Sequence, residues 1–204
     1  MKLATTLLCY CIFAFSASAE QIAKTILAKH SVVAEQKKNQ RKLKRKSAVY
    51  AKDFIVTGEQ ARAQIKFTEG TILTLGADTR FSILEFNHSA DHPSPNATLE
   101  FVTGAFRVVT GEITKVVRPN FKIKTPLGSI GIRGTDFWGG NLYSKETIDV
   151  ILLDSEHPII IENQFGRVVI SEPGTGSTLR QGEAPSQPEK WSEQKLKDAV
   201  KTIQ

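Results

Sequence analysis

The sequence predicts an all-β fold: a roll, a sandwich or a short β-solenoid of many short strands, closed by one amphipathic helix at the C-terminus. Three observations carry this. Apolar and polar residues alternate over short runs, as in Ala61-Arg62-Ala63-Gln64-Ile65-Lys66-Phe67, the period of a strand with one buried face. Gly, Pro, Asn or Asp separates nearly every pair of such runs, which is the punctuation of turns. Helical spacing marks only the last stretch, at Leu196, Val200 and Ile203. No fixed sequence period recurs, so a regular repeat array is not supported.

Taken in order, residues 1–19 read as a secretory leader. Lys2 supplies the positive start, LATTLLCYCIFAF the apolar core and Ala17-Ser18-Ala19 the cleavage site, so Glu20 should begin the mature chain. The apolar core is shorter than the ~20 residues a membrane span needs. Export to the periplasm or the extracellular space is therefore expected. Both cysteines, Cys9 and Cys11, fall in the leader, which leaves the mature chain without a disulfide or a thiol nucleophile.

Residues 20–46 form a polar, basic lead-in around Ile22, Ile26, Leu27, Val32 and Val33. They read as a strand or short helix running into a charged loop. The β-domain is expected over 47–180. Within it, 61–75 reads as a hairpin turning at Thr68-Glu69-Gly70-Thr71, followed by a strand over 80–86 and a polar loop over 87–97. Further strands are expected over 98–111, 120–126, 147–153, 157–163 and 166–171. Residues 181–204 are expected to be a linker and a helix. The helix, over 191–203, has Ser192 at its N-cap, with Trp191, Leu196 and Val200 packing on the β-body.

The 204 residues carry a net charge of +6, and the excess is local. The run KKNQRKLKRK, 37–46, holds Lys37, Lys38, Arg41, Lys42, Lys44, Arg45 and Lys46 and no acid. Of 27 Lys and Arg, removing Lys2 and the seven of this run leaves 19 against 21 acids. The seven are the candidate anion-binding residues, for an anionic polysaccharide or lipid surface. The alternative is a solvated loop. Nucleic acid is not expected as a partner, because the chain is exported and the run has no interleaved aromatic for base stacking.

The stretch TPLGSIGIRGTDFWGG, 125–140, packs five glycines and one arginine into sixteen residues. Its structural motif residues are Thr125, Pro126, Gly131, Arg133, Gly134 and Thr135. Gly131 and Gly134 allow close backbone approach, and Arg133 offers a rigid fork of donors. The leading reading is a structural bracket in which Arg133 satisfies carbonyls at strand ends. A second reading is an anion site built from the fork and glycine N–H groups; a third is an exposed turn with no special task.

Four segments in order carry a resemblance. VYAKDFIVTG (49–58) is similar to the "gD-x-I-x-T-g" segment of FecR-type domains. IKFTEGTILTLGADT (65–79) resembles their turn-centred strand pair, with Glu69 where Asp is usual. GAFRVVTG (104–111) resembles the "G-x-x-R" strand, and TPLGSIGIRGT (125–135) the "TP…R-G-T" core. The resemblance implies a bacterial envelope protein with a signalling role. Founding members add a cytoplasmic anti-sigma segment and a membrane span. Here the leader is expected to run straight into the domain, so no contact with a sigma factor is expected.

Catalysis finds no foothold. There is no nucleophile elbow and no zinc-binding helix motif, and His30, His88, His92 and His157 lie in unrelated contexts. His88-Ser89-Ala90-Asp91-His92 offers ligands, but in a proline-flanked polar loop where solvation is the simpler reading. The sequence thus predicts a non-enzyme without cofactor or metal, acting as an interaction or sensory module. Its expected partner is another envelope protein. The alternative is an anion- or polysaccharide-binding surface module using 37–46.

Overall fold

The computed structural model describes residues 20–88, 95–114, 120–155 and 157–204. The expected leader, and residues 89–94 with most of the His88–His92 segment, lie outside the described residues.

The chain opens with β1 (Gln21–Lys29), β2 (Val32–Gln36), β3 (Asn39–Lys42) and β4 (Ala48–Tyr50). It continues through β5 (Phe54–Thr57), β6 (Arg62–Phe67), β7 (Ile72–Leu75), β8 (Arg80–Asn87), β9 (Asn96–Thr103) and β10 (Ala105–Val109). A 3-10 turn at Glu112–Thr114 precedes β11 (Asn120–Thr125), β12 (Gly128–Ile132), β13 (Thr135–Gly140) and β14 (Ile148–Ser155). Last come β15 (Ile159–Asn163), β16 (Gly166–Ile170), β17 (Thr175–Leu179), β18 (Glu189–Lys190) and the helix α1 (Glu193–Lys201).

These strands form two nine-stranded sheets, ordered β18-β17-β14-β13-β10-β7-β6-β1-β4 and β16-β15-β12-β11-β9-β8-β5-β2-β3. Of the three expected all-β architectures, the sandwich is the one adopted. From β5 onward the chain alternates between the sheets and adds strands progressively toward β16 and β18. Pairing is antiparallel except between β9 and β11, which are separated by an excursion into the other sheet, since parallel neighbours need a crossover.

Alternation does what the sequence pattern implies. Ala63, Ile65 and Phe67 of β6 point inward and are buried. At the centre Phe81 and Phe101 of one sheet meet Phe106 and Phe137 of the other, with ring centroids 5.0–5.9 Å from Phe106. Such edge and tilted contacts add to the burial of the rings. Gly139, opposite Phe106 on β13, is glycine for packing: a Cβ there would stand 2.6 Å from the ring.

Within 20–46 the strand alternative holds for the entry, as β1, while the part expected as a charged loop contains β3. β1 sits between β6 and β4, and β2 between β5 and β3. Val32, Ala34 and Leu43 are buried in the main core. The basic run itself supplies the turn after β2, all of β3 and the four residues that follow it. Its strand character is hidden because β3 is an edge strand made of Asn39, Gln40, Arg41 and Lys42, and polar edges guard against unwanted pairing. Residues 181–190 are likewise pinned: Ser186 bonds Ser177 and Thr178, and β18 pairs with β17.

Helix α1 begins where expected. Ser192 accepts a hydrogen bond from the Lys195 N–H at 3.2 Å, a normal N-cap. The helix lies on the outer face of the first sheet. Trp191 and Ala199 pack with Ala105, Trp138 and Ile151, flanked by Leu196 and Ile203. Val200 is the exception among the expected stripe residues. It is half-buried and lies outside this cluster, because Ala199 takes the position against the sheet.

Candidate binding face

The motif residues converge on joints of the sandwich. Thr57, at the end of β5, donates to the Gly76 carbonyl (2.6 Å) and accepts from the Thr79 N–H (2.9 Å). Thr79 in turn accepts from the Ala105 N–H at 3.0 Å. Two buried hydroxyls thus tie three chain segments at the point where strands change sheet. Gly104 completes the joint. Its φ is +99°, and a Cβ there would lie 2.5 Å from the Thr79 Cα, so both conformation and space demand glycine.

Asp53 forms a second joint. Its fully buried carboxylate accepts from the Arg41 guanidinium at 2.5 Å and the Tyr50 N–H at 2.9 Å. Arg41 also donates to the Ala48 carbonyl (3.2 Å) and stacks 4.9 Å from the Tyr50 ring centroid. Arg41 is therefore a lock on β4, not a free cation of the basic run. The other six, Lys37, Lys38, Lys42, Lys44, Arg45 and Lys46, are exposed and form no ion pair among the described residues.

Glu69 holds a third joint, accepting from the N–H groups of Thr71 and Ile113. It thereby fastens the β6–β7 turn to the 3-10 turn after β10. Arg107, the arginine of the β10 motif, makes a two-pronged pair with Asp136 at 2.8 and 2.5 Å. The hydrogen bond to Asp136 raises the guanidinium pKa further above its usual value, against the opposing effect of burial.

In the glycine stretch, Thr125 tightens the two-residue turn at Pro126 and Leu127, donating to the Gly128 carbonyl at 2.9 Å and accepting from Leu127 N–H. Pro126 is exposed there. Gly134 has φ +61°. Thr135 is buried, and its N–H and carbonyl are both met by Thr110. Arg133 does not bracket anything. It is exposed and makes no hydrogen bond or ion pair among the described residues. The task assigned to it falls to Thr110 and the strand ladder, which satisfy the backbone without a guanidinium.

The two outer faces of the sandwich differ. Helix α1 covers part of the first. Among the described residues no helix covers the second, and Val102, Phe165 and Val169 are 38%, 51% and 47% exposed on or beside it. It also carries a trough that the sequence reading missed. On β12 the inward residues are Ile130 and Ile132 and the outward ones Ser129 and Gly131, with the exposed Arg133 just past its end. The floor is thus small between longer neighbours: Lys122 on β11, Ile160 and Glu162 on β15, and Arg167 on β16. The opening measures about 650 Å³. It shares Ser129 and Glu162 with a second cleft of about 680 Å³ beside Lys124, Phe165 and Arg180. The signal was present in GSIGI, small residues at alternate positions, but it reads equally as turn composition. Among the described residues, no group of three His, Cys, Asp or Glu is placed to hold a metal.

This is a β-sandwich whose motif residues build joints between the sheets and one of whose outer faces carries a cationic trough. The family model for FecR protein matches residues 53–156, and the chain belongs to that family. No curated protein matches it. Two crystal structures of a candidate anti-sigma factor from Parabacteroides distasonis ATCC 8503, at 1.65 and 2.50 Å, share the fold. Each has a TM-score of 0.54 and 12% identity over 71% of this chain. The matched region spans 62% of those chains.

Proposed function

We propose that the chain is an exported, non-enzymatic FecR-family domain acting as an interaction and sensory module in the bacterial envelope, with a protein partner on the outer face of the second sheet. Family membership supports a signalling and regulatory interaction role. The observation that carries the choice of face is the asymmetry of the sandwich: α1 occupies one outer face, while the other exposes Val102, Phe165 and Val169. Export is supported by the leader pattern of the first 19 residues. No helix among the described residues is long and apolar enough to cross a membrane.

A photoreactive residue placed at Val102, compared with one at Lys197 on α1, tests the choice of face in cells. The expected result is one discrete adduct from position 102 in the envelope fraction and none from 197. Equal adducts from both positions, or none from 102, contradict the reading. A second reading, binding of an anionic polysaccharide or lipid surface through 37–46, is favoured by the six exposed cations there. It predicts binding that fades with salt and disappears when Lys44, Arg45 and Lys46 are neutralised.

A further inference from the structure

We infer that the trough over β12 is a binding site for an acidic polysaccharide, a polymer of uronate type whose carboxylates are gripped by Lys122, Arg133 and Arg167. The inference takes its envelope setting from the reading above; the trough lies on the same outer face and shares Phe165 with it, but its cations are separate from Val102 and from 37–46. Gly131 is the first observation. It has no positive φ, and a Cβ there would have its nearest neighbour at 3.8 Å, ordinary contact with Ile160. Neither conformation nor packing asks for glycine at this central strand position, where glycine weakens a sheet. What its absent side chain provides is the open floor.

The second observation is charge. With Arg180 at the far end of the second cleft, Lys122, Lys124, Arg133 and Arg167 line the connected clefts against one carboxylate, Glu162. None of these four cations makes a hydrogen bond or ion pair among the described residues. Arginine forks suit carboxylates in particular. The third observation separates a glycan from an acidic peptide. β12 is paired on both sides, to β11 and β15, so no backbone groups are free for an extended peptide to add as a strand. Recognition must come from side chains reaching down onto a thin polymer. From Arg133 to Ser129 the floor runs roughly 14 Å. It ends beside Phe165, 51% exposed, whose ring face can meet the apolar C–H face of a sugar.

The test is titration calorimetry of the mature chain at low salt with a size-defined polygalacturonate oligosaccharide, with neutral dextran and poly-L-glutamate as comparisons. Polygalacturonate is expected to bind, dextran not to bind, and polyglutamate to bind at least about tenfold more weakly. Gly131→Val should melt no lower than wild type, since Val suits a strand, yet lose about tenfold or more in affinity by filling the floor. Arg133→Ala combined with Arg167→Ala should lose at least as much, and decides the matter if Gly131→Val does not fold. Neutralising Lys44, Arg45 and Lys46 should change affinity by less than about twofold. The inference is overturned by absence of polygalacturonate binding, by equal binding of polyglutamate, or by binding that survives the trough variants. Adduct formation at position 102 is unaffected by any of these outcomes.

Discussion

Asp53→Ala is expected to lower the free energy of unfolding by about 3 kcal/mol. The carboxylate is fully buried and accepts two hydrogen bonds, one from a guanidinium. Charge-assisted bonds of this kind contribute roughly 1.5–3 kcal/mol each. Breaking a wholly buried ion pair costs about 3–5 kcal/mol, because a bare charge is left behind. Arg41 is 38% exposed and regains water when its partner leaves, which places the effect at the lower end. The Tyr50 N–H does not, so β4 should loosen first. Urea titration checks this: the midpoint should fall with little change in slope. A loss under about 1 kcal/mol would mean that the joint is ornamental.

Trp191→Ala should be at least as damaging, at about 4 kcal/mol. Trp191 is 7% exposed, meets the Trp138 ring edge-on at 6.1 Å and carries the Lys195 ammonium 4.1 Å above its own ring. A nine-residue helix is too short to persist alone, so losing its anchor should release all of α1. Trp138 is then the sole tryptophan. At present it is fully buried and donates to Thr202 at 3.0 Å. The variant should therefore melt lower and emit at longer wavelength. An unchanged midpoint with a buried emission spectrum would show that the helix holds without Trp191.

The strands were legible where alternation was strong. The Ala61–Phe67 run buries the three residues its period assigns, and Ser192 announces the helix start. The family motifs were legible as a resemblance, but their meaning was not. Thr57, Thr79 and Gly104 lie far apart in sequence and meet only through the crossing of the two sheets. β3 was illegible because an edge strand needs no apolar face. Arg133 was illegible for a related reason: flanking glycines suggest tight backbone, but the residue stands exposed just past the end of β12, and where that strand ends is set by its partners β11 and β15. The trough was hidden because the same glycine that builds a turn can also leave a gap, and only neighbouring strands tell these apart.

Asp53, Thr57, Glu69, Thr79, Gly104 and Thr135 build joints of the sandwich, whereas Arg133 faces outward from them. The thermal midpoint of Arg133→Ala without ligand tests this division most directly. An exposed, unpaired side chain should be worth within about 0.5 kcal/mol, a shift of no more than about 2 °C for a chain of this size. A fall of about 6 °C or more, corresponding to about 2 kcal/mol, would show that the guanidinium holds the fold together after all.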